Sequence, residues 1–335
     1  MGKKEVPSLP SVQAWLSAYF PDADWPIERE QSGRSTYVFR IRTGEENLYL
    51  RILPEAEMSF GVEVHAHELL RRKGVQVPEV IAYENYAEAL GMSVMLVREM
   101  TGGSAGQADA LNRIDYENVM RAAGRQIALV HQVPVDGFGW IRRGREEAAD
   151  GLHGENHSIE AYVNEGLEQD LGFLSEELLH GYEISRIRGV LETGLPWMSR
   201  HEARLVHGDF DDSHIFQDRG SYTGLIDFGE MQGSSPTYDL GHFKLHDGQR
   251  FAGYEALTAG YGEVTPLTPD DQLEISLWAL WIGVRRLAVA GRRPPGSYRQ
   301  HLTKAVRQEL DLLGSRLYPF FCYFPEASIH LLAGY

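Results

Sequence analysis

The chain has 335 residues, of which 43% are hydrophobic and 24% are charged, a composition typical of an ordinary globular protein. This length corresponds to about two domains, or to one domain built as two lobes. The formal net charge of −16 makes nucleic acid an unfavourable partner, since phosphate backbones are bound by concentrated lysine and arginine, and it favours cationic small molecules or metal-bound ligands.

Cys322 is the single cysteine, which excludes an intramolecular disulfide and a cysteine-rich zinc site and favours a reducing compartment. Residues 1–6 lack the apolar core of a signal peptide. The longest strongly apolar stretch, residues 277–284, is far shorter than the roughly 20 residues that span a bilayer. We therefore expect a soluble, cytoplasmic protein without a membrane partner.

The first hundred residues predict a small sheet with one helix. Two short runs rich in β-forming residues, 36–41 and 47–53, are separated by a polar turn and predict a hairpin. Residues 62–73 have apolar side chains at helical spacing and precede a glycine, which predicts a helix that ends there. Residues 77–81 and 93–97 predict two more strands.

Beyond residue 104 the pattern is mainly helical. Val119, Ala123, Ile127 and Val130 recur at helical spacing, and residues 277–289 predict a second strong helix. The sequence therefore predicts a β-rich first lobe, a connector that contains glycine, and a mainly helical second lobe.

Two carboxylates lie at the ends of a predicted hairpin within residues 205–230. The apolar runs 215–216 and 224–226 flank a polar turn, with Asp209 before the first run and Asp227 after the second. Phosphoryl transfer needs one carboxylate that accepts or orients the attacking hydroxyl and another that holds Mg²⁺ against the nucleotide phosphates. A hairpin fixes the separation of two such groups on rigid backbone. The pattern therefore predicts Asp209 as the catalytic base and Asp227 as a metal ligand.

Five motifs carry a family resemblance that extends from about residue 30 to residue 300. They are His207-Gly208-Asp209 with His214 five positions later, Asp227-Phe228-Gly229-Glu230, residues 235–240, Val77-Pro78-Glu79-Val80, and residues 95–102. Together they resemble the aminoglycoside phosphotransferase family, whose usual forms of the first two motifs are H-G-D-x-x-x-x-N and I-D-F/W-G/S-D/E. Gly137-Phe138-Gly139 and a tryptophan-rich C-terminal helix are more similar to the hygromycin-type branch of that family.

The resemblance implies an α+β, protein-kinase-like fold with two lobes. The implied domains are an N-terminal nucleotide-binding lobe (1–97), an interlobe connector (98–104) and a C-terminal lobe (105–335). The C-terminal lobe would divide into a catalytic core (about 105–145 and 196–245) and a helical acceptor-binding part (about 146–195 and 246–335). The implied reaction moves the γ-phosphoryl group of ATP or GTP, with Mg²⁺, onto a hydroxyl of a small molecule.

The nucleotide-binding residues follow from the positions of the kinase motifs. Arg51 stands where kinases place the lysine of V-A-I-K, and its guanidinium can clamp the α- and β-phosphates. Glu63, on the following predicted helix, is its expected partner. Three residues before the first predicted strand, Ser32, Gly33 and Ser35, occupy the place of the phosphate-covering loop. Three connector residues, Arg98, Glu99 and Met100, are expected to offer backbone groups to adenine or guanine.

His214 stands where the family usually has asparagine, and its role has two interpretations. Imidazole is a softer ligand than the oxygen donors that Mg²⁺ prefers, so His214 is either a metal ligand beside Asp227 or a structural residue. Asp211, Asp212 and Glu230 are the candidate contacts with the acceptor, although solvated turn carboxylates have the same pattern.

The acceptor is expected to be an aminoglycoside or aminocyclitol, as the resemblance implies. Residues 146–183 contain eleven Asp or Glu residues and no Lys or Arg, which would concentrate a polycationic acceptor if they line one cleft. A solvated helical face has the same composition. The same fold serves macrolide, choline, homoserine and fructosamine kinases.

A catalytically silent nucleotide-binding protein is the alternative from a different functional class. It is motivated by Arg51 and His214, which stand where most kinases have Lys and Asn.

Overall fold

The computed structural model describes residues 3–22, 24–30, 35–44, 46–145, 151–248 and 251–317. Ser32, Gly33, Cys322 and the acidic residues at 146, 147 and 150 lie outside these ranges.

The N-terminal part is a five-stranded antiparallel sheet with two helices. The strands are β1 (Ile27–Glu30), β2 (Tyr37–Arg42), β3 (Asn47–Ile52), β4 (Val80–Ala87) and β5 (Met92–Arg98), and the helices are α1 (Leu9–Tyr19) and α2 (Gly61–Arg72). The order across the sheet is β1-β2-β3-β5-β4, so the predicted hairpin β2–β3 lies at its centre. Alternate residues of β3 are buried, as expected for a strand with one face on a core.

One predicted strand begins later than the sequence pattern suggests. The run 77–81 is extended, but the strand β4 begins at Val80. Pro78 has no backbone N–H to donate to a neighbouring strand. Its carbonyl oxygen instead lies 3.0 Å from Nδ1 of His67 on α2, so Pro78 is held by a helix rather than by the sheet.

The C-terminal part is mainly helical, with two small sheets on its inner side. Its helices are α3 (Arg113–Val130), α4 (Ile159–Asn164), α5 (Leu167–Glu177), α6 (Gly181–Met198), α7 (Tyr238–His246), α8 (Tyr254–Gly262), α9 (Pro269–Gly291) and α10 (Ser297–Leu317). Its strands are β6 (Gly103–Ser104), β7 (Phe138–Ile141), β8 (Gly154–Asn156), β9 (Arg204–Val206), β10 (Ile215–Asp218), β11 (Ser221–Leu225) and β12 (Gln232–Ser234). The sheets have the orders β11-β10-β6 and β8-β7-β12-β9.

Helix α9 is the central helix of this part. It begins with a capping box, in which Thr268 accepts from the backbone N–H of Asp271 and Asp271 accepts from that of Thr268. Its middle turns are buried on all sides, and Trp278 and Trp281 pack against Tyr162. Such all-round burial is expected of a helix surrounded by other elements.

The two parts are joined by a core and by a connector. Val62, Ala66 and Leu70 on α2 belong to the same buried cluster as residues of α3, so the helix links the first sheet to the second part. Gly102 in the connector has φ +85°, and a Cβ there would lie 2.0 Å from the backbone oxygen of Gln217. The connector therefore needs glycine where it crosses β10.

Among the described residues, none of the helices is both long and apolar enough to cross a membrane.

Candidate active site

A buried carboxylate shapes the loop between β9 and β10, which contains the His207-Gly208-Asp209 motif. Asp239 on α7 accepts hydrogen bonds from the backbone N–H groups of His207, at 2.7 Å, and Gly208, at 3.0 Å. Nε2 of His131 lies 3.0 Å from the same carboxylate. Burial by itself would raise the pKa of Asp239, but the hydrogen bonds that it accepts from His131 and from the backbone of His207 hold it below its usual value. Asp239 is therefore an ionised anchor for the loop.

Gly208 permits the sharp bend of this loop. Its φ is +85°, and a Cβ would lie 1.8 Å from the backbone oxygen of Glu230. The loop and the segment after β11 thus touch backbone to backbone, which only glycine allows.

His207 ties the two carboxylate-bearing segments together. Its Nε2 lies 2.8 Å from the carbonyl oxygen of Ile226, and its Nδ1 lies 3.4 Å from the backbone nitrogen of Asp209. This geometry fits a neutral ring that donates from Nε2 and accepts at Nδ1. Burial lowers the pKa of His207, in agreement with the neutral form.

Asp209 contacts two basic side chains that the sequence analysis missed. Its Oδ1 lies 2.5 Å from Nη2 of Arg286 on α9 and 3.2 Å from Nε2 of His242 on α7. Burial would raise the pKa of Asp209, but the hydrogen bond and charge of His242 and the charge of Arg286 hold it well below its usual range. Asp209 is therefore a fixed, ionised carboxylate and a weak base.

The sequence offered one signal for Arg286. Residues 275–308 contain seven Lys or Arg residues and no Asp or Glu, in a chain with a net charge of −16. No comparable charge pattern marks His242. It lies on α7 among residues that are almost all buried.

Asp227 begins a single helical turn directly after β11 and has a left-handed backbone, with φ 61°. Its side chain is half-exposed to the cavity, where Oδ1 lies 3.3 Å from Nη2 of Arg51. Burial would raise the pKa of Asp227, but the charge of Arg51 holds it below its usual value. The next residue, Phe228, is fully buried against His67 and His207 and anchors this turn.

Arg51 on β3 is paired with Glu63 on α2, as the sequence analysis expects. Nη1 of Arg51 bonds to Oε1 of Glu63, and the guanidinium lies over the ring of Phe60. Burial would lower the pKa of Arg51, but the charges of Glu63 and Asp227 raise it. Arg143, which the sequence analysis did not single out, lies 3.5 Å from the other oxygen of Glu63 and donates to the carbonyl of Phe228.

His214 lies between the two carboxylates. Its Nδ1 is 2.7 Å from the carbonyl oxygen of Asp209, so this nitrogen carries a proton and donates it. The structure thus gives His214 a loop-ordering bond and leaves Nε2 as its remaining donor or acceptor atom. Asp227, an oxygen donor, fits Mg²⁺ well, whereas imidazole fits this ion less well.

The three candidate acceptor contacts have different surroundings. Glu230 lines the cavity 3.6 Å from Arg286, and burial together with the charge of Asp209 raises its pKa. Asp211 also lines the cavity, with its Oδ1 accepting from the backbone N–H of Ser213. Asp212 is directed elsewhere, because its carboxylate accepts from the hydroxyl of Tyr116 at 3.0 Å, and the structure does not place it in the cavity.

The connector lines the same cavity as these carboxylates, beside the first sheet. The backbone N–H groups of Arg98 and Glu99 are already bonded, to the carbonyls of Glu79 and Asn47. The Arg98 side chain pairs with Glu79 at 3.0 Å, and Glu99 accepts from Asn47. Among the described residues, the backbone N–H of Met100 has no hydrogen-bond acceptor. Ser35, the described member of the phosphate-covering loop, also lines the cavity.

These side chains surround one cavity of about 1720 Å³ between the two parts of the molecule. The first sheet and the connector form one end, with Arg51 and Met100. Helices α9 and α10 form the other end, and Asp209 and Asp227 lie between. A cavity of this volume accommodates a nucleotide and a second small molecule.

The acid-rich segment does not form a common wall of this cavity. Of its described carboxylates, Glu165 and Asp170 line the cavity. Asp170 is already paired with Arg285, and Glu168 and Glu183 pair with Arg188 and Arg307 outside it. The described part of the segment is better explained as a paired, partly solvated helical surface.

The comparisons with solved structures identify the fold. A thermostable mutant of the aminoglycoside phosphotransferase APH(4)-Ia is 15% identical with a TM-score of 0.64, over 89% of this chain and 98% of that chain. Another thermostable mutant of that protein, crystallised with AMP-PNP and hygromycin B, has a TM-score of 0.63 at 16% identity, over 90% and 97%. A fructosamine-3-kinase described as putative, from Thermobifida fusca YX-ER1, has a TM-score of 0.58 at 16% identity, over 85% and 93%. The macrolide 2'-phosphotransferase MphH from Brachybacterium faecium has a TM-score of 0.56 at 16% identity, over 88% and 98%.

The family follows from the sequence itself. No curated protein matches the chain. The model of the phosphotransferase enzyme family matches residues 27–270, which is most of the chain and includes both carboxylate motifs. This match confirms the resemblance to aminoglycoside phosphotransferases, and the structural similarities confirm the predicted α+β fold. The chain therefore belongs to the phosphotransferase enzyme family and is a small-molecule phosphotransferase with a protein-kinase-like fold.

Proposed function

We propose that the protein transfers the γ-phosphoryl group of ATP or GTP to a hydroxyl of a small molecule. The observation that carries this proposal is that Asp209 and Asp227 line one cavity on two backbone segments joined by His207. The acceptor oxygen forms a bond to the γ-phosphorus while the bond to the bridging oxygen of the nucleoside diphosphate breaks. The hydroxyl proton passes to Asp209 and then to solvent.

Asp209 acts mainly by alignment. Arg286 and His242 fix its carboxylate and keep it ionised, so it accepts a hydrogen bond from the acceptor hydroxyl at a defined position. A carboxylate with a strongly lowered pKa is a poor proton acceptor until the oxygen–phosphorus bond is well advanced. This role suits a loose transition state, in which positioning and charge neutralisation contribute most of the rate.

The nucleotide would lie between the first sheet and the catalytic loop. Arg51, steadied by Glu63, would hold the α- and β-phosphates, and the free N–H of Met100 would bond to the base. Mg²⁺ held by Asp227 would neutralise the phosphate charge. Within this proposal, residues 1–97 form the nucleotide lobe, 98–104 the connector and 105–335 the acceptor lobe.

The acceptor class is a finer question than the reaction. The fold is similar to that of a protein crystallised with hygromycin B, which supports an aminoglycoside or aminocyclitol as one candidate and hygromycin B as its test compound. The folds of a macrolide phosphotransferase and a putative fructosamine kinase are also similar, so other hydroxyl compounds belong in the same test. A cytoplasmic location stays a prediction.

The substitution Asp209→Asn tests the reaction. We expect turnover to fall by at least about a hundredfold, since general-base groups contribute about that much. The rise in melting temperature on addition of ATP and Mg²⁺ is expected to remain, because Asp209 does not lie at the nucleotide end. Turnover is measured as ADP release and as the mass gain of hygromycin B, kanamycin, gentamicin, a macrolide and choline.

The matched control is Asp218→Asn, in the turn of the same hairpin, where the carboxylate is half-exposed. We expect this variant to retain the wild-type rate. Near-normal turnover in Asp209→Asn would refute the role of that carboxylate. ATP binding without ADP release from any acceptor would instead favour the silent nucleotide-binding protein.

A further inference from the structure

Four arginine side chains line the acceptor end of the cavity. Arg285 and Arg286 lie on α9, Arg293 lies between α9 and α10, and Arg299 lies in the first turns of α10. We call these four residues the arginine rim. They line the same cavity as Asp209.

Two members of the arginine rim are already paired. Nε of Arg285 lies 3.3 Å from Asp170, and its guanidinium stacks on Trp281. Arg286 binds Asp209 and lies 3.6 Å from Glu230. These two arginines therefore build the wall and fix the catalytic carboxylate.

The other two members have no carboxylate partner. Among the described residues, neither Arg293 nor Arg299 forms an ion pair or a side-chain hydrogen bond. Arg293 is exposed, and Arg299 is half-buried. Asp170, the nearby acidic residue of the wall, is held between Arg285 and Arg292, at 3.3 Å from each. The permanently charged guanidinium groups of Arg293 and Arg299 thus line the cavity without a carboxylate partner among the described residues.

The local charge is opposite to that of the whole chain. Residues 275–308 contain seven Lys or Arg residues and no Asp or Glu, although the chain has a net charge of −16. A polycationic acceptor in this cavity would face the guanidinium groups of Arg293 and Arg299. Guanidinium groups bind carboxylate and phosphate oxygens in a bidentate geometry, so the surface fits an anionic group.

We propose that the acceptor carries an oxyanion group, a carboxylate or a phosphate, beside the hydroxyl that is phosphorylated, and that Arg293 and Arg299 bind it. This inference rests on the proposed function, because it assigns the acceptor of that same site. Arg293 and Arg299 bind the anionic group while Asp209 orients the hydroxyl, so the two contacts together select a hydroxy acid or a phosphorylated polyol.

Matched pairs of hydroxyl compounds test this class. The pairs are gluconate with sorbitol and glucose 6-phosphate with glucose, and hygromycin B is the cationic comparison. We expect at least one anionic member to gain a phosphoryl group with kcat/KM at least about tenfold above that of its uncharged partner, since an arginine–oxyanion pair is a strong, charge-assisted bond. The two pairs distinguish a carboxylate from a phosphate.

Substitution of Arg293 and Arg299 tests whether these two residues bind the acceptor. In Arg293→Gln/Arg299→Gln we expect the KM of the anionic acceptor to rise at least about tenfold, while kcat and the KM for ATP stay unchanged. The control is Lys304→Gln, which removes one positive charge from the exposed side of α10 and is expected to change neither parameter. An unchanged acceptor KM in the double variant overturns the proposal.

The remaining outcomes separate this inference from the proposed function. Equal or better phosphorylation of sorbitol, glucose or hygromycin B overturns the anionic acceptor and supports the kinase. If ATP binds but no compound yields ADP, the proposed function fails, and binding then decides the inference. Thermal stabilisation by gluconate or glucose 6-phosphate that the double variant abolishes supports the anionic site, and no stabilisation by either overturns it.

Discussion

At the scale of single residues, backbone contacts fix the loop that carries Asp209, the proposed catalytic carboxylate. Asp239 holds two consecutive N–H groups of the loop, and Gly208 lets that loop touch the backbone of Glu230. Asp209 is the next residue in the chain, so these contacts of residues 207 and 208 also fix the position of its Cα atom. Arg286 and His242 then hold its carboxylate from the other side.

The substitution Gly208→Ala tests this backbone contact. A Cβ at 1.8 Å from the oxygen of Glu230 cannot be accommodated without moving the loop, and the left-handed φ adds strain of about 1 kcal/mol or more. We expect a lower melting temperature and loss of most activity, measured by calorimetry and ADP release.

Gly172→Ala is the matched control for this prediction. Gly172 lies inside α5 with nothing within 4 Å of an added Cβ. Because alanine is the better helix former by about 1 kcal/mol, we expect equal or higher stability and unchanged activity. A Gly208→Ala protein that behaves like this control would show that the loop is not constrained as described.

At the scale of elements, one buried carboxylate connects the first sheet, α2 and the segment after β7. Glu63 on α2 is fully buried and faces Arg51 from β3 on one oxygen and Arg143 on the other. Through Arg51 the same network reaches Asp227 at 3.3 Å. The position of α2 therefore controls the group that would hold the phosphates.

Glu63→Gln is expected to destabilise the protein by about 3 kcal/mol, because two largely buried guanidinium groups lose the buried carboxylate that lies between them. The KM for ATP is expected to rise as well, since Arg51 loses its orienting partner. Urea unfolding and initial-rate kinetics measure the two effects.

Glu68→Gln, on the same helix, is the control. Glu68 is exposed and pairs with Arg72 across one helical turn at 3.3 Å, an arrangement that contributes about 0.5 kcal/mol or less. Equal effects of the two substitutions would contradict the assigned role of Glu63.

At the scale of the whole molecule, charge is distributed unevenly and several histidines are buried near the cavity. Burial lowers the pKa of His67 and His207, and burial together with the charge of His242 lowers that of His246. In the unfolded chain these groups bind protons near pH 6.5. The unfolded state therefore binds more protons below about pH 6.5, and the stability that is present above this pH is lost as the pH falls.

We expect the melting temperature to fall between about pH 7 and pH 5, and to fall less in His246→Gln than in the wild type. His157→Gln, which removes an exposed imidazole, is expected to leave the pH dependence unchanged. If the melting temperatures of His246→Gln and the wild type fall in parallel with pH, the partly buried ring of His246 does not contribute to acid sensitivity.

The amino-acid sequence by itself determined the order of the elements and the two carboxylate segments. The hairpins, the helix before Gly74 and the turn between Asp209 and Asp227 follow from patterns within a few residues of one another, because local spacing fixes which side chains share a face. Arg51 and Glu63 were also predictable, since they lie on adjacent elements at positions that a known motif marks.

Only the tertiary structure decided what surrounds these groups. Arg286 lies 77 positions from Asp209 in the chain, and Asp170 and Glu183 pair with arginines up to 124 positions away. Such contacts depend on how α5, α6, α9, α10 and the loop between β9 and β10 pack, and no local periodicity encodes that packing. Composition counts every charge equally, whereas pairing and burial decide which charges face a ligand.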